Sequence, residues 1–268
     1  MAEPRSATTS PGPLFVMHQQ ASRIASEAGD SPTVILVHGS LDRAASFGRL
    51  MRRLNNVDVL AYDRRGYHRS RTSGPPAGLE GHVEDLVTLI ESLGGKPTVL
   101  VGHSYGGDVA LGAALGAGSL VKAVVAYEPP MPWEEWWPSR ARSPIEAEDP
   151  ALFAEGFFKR MVGEAAWNRL AERDREERRA DGPALLTELS SIRGATPPFD
   201  VVDIPMPALF GRGGRSVPHH RRATAQLAAR APFGELFEIP GAAHGAHLSH
   251  PEALALLVRR ALHRASIG

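Results

Sequence analysis

The chain contains no cysteine. Disulfides, thiolate nucleophiles and cysteine-ligated metals are therefore excluded, and the fold cannot depend on an oxidising compartment. An excess of either charge is also missing. Thirty basic side chains balance thirty acidic ones, so no net field draws the protein to nucleic acid or to an anionic membrane. Lysine is nearly absent, occurring only as Lys96, Lys122 and Lys159, and we read this arginine bias as base composition and not as a binding signal. No run approaches the ~20 apolar residues of a membrane span. The polar N-terminus has no apolar stretch of signal-peptide length. These absences lead to the expectation of a soluble cytoplasmic protein without nucleic-acid or membrane partners.

What is present suits one compact domain carrying an insertion. The chain has 268 residues and a hydrophobic fraction of 43%, enough for a large core. Residues 1–13, rich in Pro and Ser, predict a loose tail. Short strands are expected at Leu14 to Met17 and Ser22 to Ala25. Thr33 to Val37 is a continuous apolar run rich in β-branched residues, the pattern of a strand buried on both faces of a parallel sheet. Similar runs follow at Val57 to Ala61, Thr98 to Val101, Val121 to Ala126, Ala208 to Phe210 and Leu236 to Ile239. Helical periodicity lies between them, at Asp42 to Leu54, Leu79 to Leu93, Ser104 to Leu115, Pro218 to Ala229 and Pro251 to His263. Alternating strands and helices predict an α/β fold, a doubly wound and mostly parallel sheet with helices on both faces.

One region breaks the alternation. Pro129 to Phe199 has no convincing strand; it opens on a stretch rich in Pro and Trp and continues as helices at Ala151 to Val162 and Glu164 to Arg179. We read it as a helical insertion, residues 129–199, between two core segments, 14–128 and 200–268. The charge-dense run from Arg169 to Arg179 reads as a solvated helix face.

The chemistry centres on Gly102-His103-Ser104-Tyr105-Gly106. A serine hydroxyl is a poor nucleophile near neutral pH and needs an adjacent base, while its transition state needs donors for the developing oxyanion. A Gly-x-Ser-x-Gly pentapeptide between a strand and a helix places the nucleophile on a tight, strained turn that only small neighbours tolerate. Alone it is a weak signal; its setting strengthens it. Upstream, His38-Gly39-Ser40 follows a strand, and a turn there could aim the Ser40 amide, with that of Tyr105, at an oxyanion. Leu41 is the alternative donor if the turn differs by one residue, and His38 reads as a structural hydrogen-bonding histidine. Downstream, His244 lies in the Gly/Ala-rich loop Pro240 to His247, free to act as general base, with His247 its competitor. His219, His220 and His250 read as exposed or capping residues, and no histidine pair has metal spacing. Tyr62 to Ser70, with Asp63-Arg64-Arg65-Gly66, reads as a loop held by turn chemistry, its side chains unused in any chemical step.

As a set, the His-Gly turn, the Asp-Arg-Arg-Gly loop, the Gly-His-Ser-Tyr-Gly-Gly elbow and the late Gly-x-x-His loop resemble the α/β-hydrolase fold family, over about residues 14–264. The resemblance implies a triad in chain order Ser, acid, His, a helical cap over the site, and no cofactor. It also exposes a departure. The loop that usually carries the acid, Gly211 to Pro218, has no carboxylate. Some relatives carry it one strand earlier, which here is Glu128, with Asp200 and Asp203 next in order. A serine at the elbow, in place of the aspartate of dehalogenases and epoxide hydrolases, points to acyl chemistry on an ester, thioester, lactone, amide or diketone C–C bond. Trp133, Trp136, Trp137 and Trp167 lie in the proposed cap, and a cap lined by Trp133, Trp136 and Trp137 would suit a small-molecule acyl substrate that is apolar or aromatic, although packing of the cap is the simpler account of most of them. Alternative functions are a cofactor-free perhydrolase of haloperoxidase type and a non-catalytic ligand-binding homologue.

Overall fold

A computed structural model of the chain describes residues 12–22, 31–138, 147–194 and 196–266. Seven strands form one sheet: β1 (Val16–Gln19), β2 (Thr33–Val37), β3 (Val59–Tyr62), β4 (Thr98–His103), β5 (Val121–Tyr127), β6 (Ala208–Gly213) and β7 (Gly234–Ile239). Their spatial order is β1-β3-β2-β4-β5-β6-β7. Only β1 is antiparallel, pairing with β3 at the edge; β2 to β7 are mutually parallel. The expected doubly wound, mostly parallel sheet is therefore the observed architecture.

The apolar runs are buried on both faces because the strand period sends alternate side chains to opposite layers. In β2, Ile35 and Val37 join one apolar cluster, while Val34 and Leu36 join the other. The first layer is closed by α2 (Leu79–Glu91), α3 (Tyr105–Gly116) and α8 (Pro218–Arg230), through residues such as Leu86, Leu111 and Leu227. The second is closed by α1 (Gly48–Met51) and α10 (Pro251–Ser266), through Leu50, Leu254 and Val258. A four-residue helix, α9 (Ala246–Ser249), precedes α10. No helix among the described residues is long and apolar enough to cross a membrane.

Several elements depart from the periodicity. The helix expected over Asp42 to Leu54 is a 3-10 turn, Ala44–Phe47, followed by the single turn α1. Local side chains draw the backbone away from a longer helix: Ser46 Oγ donates to both Asp42 Oδ2 and Arg43 O, and Asp63 Oδ1 accepts from the Ala44 N–H. The strand expected at Ser22 to Ala25 lies, apart from Ser22, outside the described residues, as do residues 1–11 of the expected tail. Gly12 and Pro13 are pinned, with Gly12 N–H donating to Ser73 O at 2.8 Å and Ser73 Oγ to Pro13 O at 2.7 Å.

Between β5 and β6 run α4 (Pro150–Val162), α5 (Glu164–Arg169), α6 (Glu172–Ala180) and α7 (Gly182–Ser191). The helix expected over Glu164 to Arg179 is thus two, broken at Leu170 and Ala171, which are extended. α6 buries none of its residues and is laced by ion pairs such as Arg175–Glu172 and Arg179–Glu155, both 2.9 Å. Phe158, Trp167 and Leu185 of these helices pack with Leu41 and Tyr67 of the loops after β2 and β3. Charge adds to this attachment: Glu177 pairs with Arg43 at 2.9 Å, and buried Asp181 with Arg71 at 2.6 Å.

Candidate active site

Ligands of open parallel sheets gather beyond the carboxyl ends of the strands. Here those ends carry His38, Asp63, Ser104, Glu128 and the loops after β6 and β7. Ser104 joins β4 to α3 with φ 54° and ψ −130°, a region that costs a non-glycine residue about 1–3 kcal/mol. Hydrogen bonds hold it there: its N–H donates to Tyr127 O at 2.8 Å and its carbonyl accepts from Gly107 N–H at 2.6 Å. The flanking glycines are required by close approach. A Cβ on Gly102 would stand 2.1 Å from Gly106 O, and one on Gly106 2.3 Å from Val37 O.

Glu128 follows β5 directly and is fully buried, with φ 49°. Its own N–H donates to Gly211 O at 2.9 Å. One carboxylate oxygen, Oε1, accepts from Gly213 N–H at 2.7 Å, and the other, Oε2, lies 2.7 Å from His244 Nδ1. A carboxylate can only accept, so His244 carries its proton on Nδ1 and presents the Nε2 lone pair. The histidine loop is fastened twice more: His103 Nε2 lies 2.8 Å from His244 O, and Tyr127 Oη donates to Ala243 O at 3.0 Å. His220 stacks on the His244 ring, centroids 4.4 Å apart, and burial holds its pKa well below the ordinary histidine value. No hydrogen bond joins Ser104 Oγ to His244 among the described residues, although both groups belong to the same sheet edge.

On the other side of Ser104 lies the His38–Leu41 turn. A Cβ on Gly39 would stand 2.9 Å from Ser104 Cβ, so this turn rests directly against the serine. His38 Nε2 accepts from Arg64 N–H at 2.9 Å and Nδ1 donates to Gly39 O at 2.8 Å, the bonding of a neutral structural ring. Burial, with the Arg64 charge beside it, pulls the His38 pKa down to about 3. Leu41 has φ 55°, which gives the turn its sharpness. Tyr105 is the first residue of α3, so its N–H has no acceptor within the helix.

The remaining candidates fall elsewhere. His247 pairs with Asp42 at 3.2 Å and lies tilted against the His103 ring, centroids 4.2 Å apart, away from the Glu128 carboxylate. Asp200 caps Val202 N–H and pairs with Arg230, and Asp203 is exposed. Trp133 and Trp137 are each 6% exposed and packed in the core, while Trp136 is partly buried with its N–H donated to Glu134. Trp137 touches His219 and His220 edge-on, at 4.7 and 5.2 Å, which places it one ring removed from His244. His220, which reads from sequence as an exposed or capping residue, is buried against His244; nothing in its spacing signals that. Two sets of side chains, Asp42-His103-His247 and Glu128-His220-His244, each gather three potential metal-ligand atoms within 4.8 Å, a proximity that histidine spacing does not reveal. Each carboxylate already pairs with a histidine.

Comparison with known proteins adds the family. The sequence profile of the alpha/beta hydrolase family matches residues 34–255. The chain is 31% identical over 114 residues to the lipase LipV of Mycobacterium tuberculosis, covering 42% of each protein. It is 34% identical over 105 residues to 2-(acetamidomethylene)succinate hydrolase of Mesorhizobium japonicum, covering 38% of this chain and 37% of that one. These alignments span less than half the length of either relative. Among solved structures, MenH from S. aureus superposes with a TM-score of 0.72 at 16% identity, covering 94% of this chain and 98% of that one, a likeness of fold alone. With a profile match over most of its length and the sheet order and strand-end elbow described above, the chain belongs to the alpha/beta hydrolase family.

Proposed function

We propose that this protein is a serine hydrolase that cleaves a carboxylic ester or a related acyl bond through an acyl-enzyme on Ser104. The observation that carries this reading is the 2.7 Å contact between the buried Glu128 carboxylate and His244 Nδ1, at the same strand edge as the strained serine. Glu128 fixes the tautomer in which Nε2 can take the Ser104 proton, and it stabilises the imidazolium that forms. Ser104 Oγ then bonds to the substrate carbonyl carbon. The amides of Ser40 and Tyr105 receive the oxyanion. His244 returns the proton to the departing alcohol, and a water activated by the same ring hydrolyses the acyl-enzyme.

In this reading residues 129–199 are a cap over a core of residues 14–128 and 200–268. The packing of α4, α5 and α7 on Leu41 and Tyr67 supports it, since both residues flank the proposed oxyanion turn. The substrate class is a small apolar or aromatic acyl compound. Trp136 is the least buried of the three cap tryptophans and so the most available of them to a ligand.

A fluorophosphonate probe tests the proposal. The wild type should be labelled and Ser104→Ala should not, with hydrolysis of p-nitrophenyl esters lost in parallel. Equal labelling of the two proteins, or none of either, would overturn it.

A further inference from the structure

Arg64, in the loop after β3, and Glu188, on α7, are both fully buried, and the guanidinium is shared between the core and the insertion. Its Nε donates to His38 O at 3.0 Å and its Nη2 to Gly39 O at 3.1 Å. On the other side, Nη1 donates to Glu188 Oε2 at 2.6 Å. The guanidinium carbon lies 4.9 Å from the ring centroids of both Tyr67 and Tyr105. Helix α7 also reaches Tyr105 directly. The Tyr105 hydroxyl lies 3.2 Å from Ser191 Oγ, which itself donates to Glu188 O and accepts from Leu79 N–H. Both residues proposed to supply oxyanion donors are thus tied to one insertion helix.

The Gly39 carbonyl and the Ser40 N–H belong to one peptide unit. That unit is planar and trans, so its C=O and N–H point in opposite directions. Whatever holds Gly39 O therefore also aims the Ser40 N–H. Gly39 O accepts from Arg64 Nη2, from His38 Nδ1 at 2.8 Å and from Asp42 N–H at 3.4 Å, which leaves the peptide little freedom to rotate. A cation on the carbonyl also polarises the peptide and strengthens its N–H as a donor. A buried ion pair contributes little net stability compared with apolar residues of the same volume, so stability alone does not account for this one.

We propose that Arg64 and Glu188 are positioning residues that aim the Ser40 amide at the oxyanion, so that donor geometry depends on α7 being docked. This rests on the serine hydrolase reading. A shift of this peptide weakens a donor used in the transition state more than in the ground state, so the loss appears in kcat and not in KM.

The test uses Glu188→Gln, which keeps shape and an acceptor, and the double variant Arg64→Met/Glu188→Gln, which leaves no buried charge unpaired if the pair proves necessary for folding. Turnover of a p-nitrophenyl ester is normalised to sites titrated with a fluorophosphonate, and amide hydrogen exchange is followed over residues 38–42. The expected result is a kcat lower by about tenfold in the single and about 100-fold in the double variant, with KM within about twofold and faster exchange in the turn. Unchanged kcat per titrated site with a lowered melting temperature would show a purely structural pair and overturn the proposal. So would a loss carried by KM. A wild type inert to both ester and probe would instead sink the hydrolase reading, and unchanged exchange in the variants would then remove the positioning role as well.

Discussion

Replacing Glu128 with Gln tests the proposed catalytic dyad with almost no change in volume. The two carboxylate oxygens have different partners: Oε1 accepts from Gly213 N–H, and Oε2 accepts from His244 Nδ1. An amide cannot serve both as they stand. If its oxygen stays on Gly213, its NH2 group faces Nδ1 and the ring must carry its proton on Nε2, where it cannot accept from Ser104. If the amide flips, the productive tautomer returns, but NH2 meets the Gly213 N–H and a buried donor loses its partner, at about 1–3 kcal/mol. The productive form is therefore depleted roughly 10- to 100-fold. The imidazolium also loses its counter-charge. At an effective dielectric near 20 a contact pair is worth about 4 kcal/mol, discounted to about 2–3 kcal/mol because His244 is 23% exposed. Together these predict a kcat lower by roughly 300- to 10⁴-fold, the upper end comparable with the ~10⁴-fold loss for an Asp→Asn exchange in a serine-protease triad. The assay is stopped-flow acylation with a p-nitrophenyl ester, with circular dichroism melting to show that the fold survives. An acylation rate within about fivefold of wild type, while Ser104→Ala is inactive, would refute the assignment of Glu128.

Gly39→Ala should be costly on two counts, because the added Cβ stands 2.9 Å from Ser104 Cβ and 3.1 Å from His103. We expect a destabilisation of about 1–3 kcal/mol in urea titrations and a large loss of kcat; a variant with wild-type stability and turnover would contradict the close approach. Acid should destabilise the fold before its ordinary carboxylates titrate. His38, with a pKa near 3, and His82, His103 and His220, with pKa values well below normal, are all held neutral chiefly by burial. In the unfolded chain each titrates near 6.5, so between that value and its folded pKa the unfolded state binds more protons. The stability is full above about pH 7 and falls with pH, for His38 by about 1.4 kcal/mol per unit until pH approaches 3. Asp85, Asp108 and Asp181, whose pKa values burial raises, oppose part of this loss. Urea midpoints that stay flat or rise between pH 7.5 and 5.5 would refute the dominance of the buried histidines.

Much of the fold is legible in sequence because the strongest signals are local. A strand such as Thr33–Val37, buried on both faces, must be continuously apolar, and the elbow glycines are dictated by contacts of 2.1 and 2.3 Å. Helix interruptions are less legible. The Ala44–Phe47 turn is set by side-chain bonds that compete with helix, and the break between α5 and α6 falls at Leu170-Ala171, where no Gly or Pro marks it. Least legible are pairings across long separations. Arg64 and Glu188 are 124 residues apart, and nothing local at Glu188 on α7 distinguishes it from a surface glutamate. The Asp-Arg-Arg-Gly segment reads as turn chemistry, and for Asp63, which accepts from Ala44 and Arg69 N–H groups, that reading describes what it does. For Arg64 it misses a fully buried cation.

The position of the proposed acid follows from sheet geometry. Strands β5 and β6 are parallel neighbours, with Tyr127 opposite Gly211, so their carboxyl ends lie side by side. Moving a carboxylate from the loop after β6 to the end of β5 displaces it by one strand spacing, about 4.8 Å. Glutamate recovers part of that distance through its extra methylene, and a positive φ of 49° turns the side chain off the strand direction. The loop left without a carboxylate takes up another part. Gly213, at the end of β6, donates its N–H to Glu128 Oε1 at 2.7 Å, and a side chain there would collide with Ala242 O at 2.4 Å, in the loop that carries His244. The glycines at the end of β6 and the glutamate after β5 therefore form one arrangement. Restoring an acid to Gly211–Pro218 would not rescue Glu128→Gln at Gly213 itself, where a Cβ has no room. Ser216 is different: its side chain is buried and its hydroxyl lies without a partner. Ser216→Asp in the Glu128→Gln background returns a carboxylate to this loop without adding a Cβ to one of its glycines. Recovery of acylation there, and none from Ser216→Ala, would show that His244 requires a carboxylate at this edge of the sheet and not a particular strand to carry it. No recovery, with the fold intact, would show that a carboxylate at position 216 does not replace the one after β5.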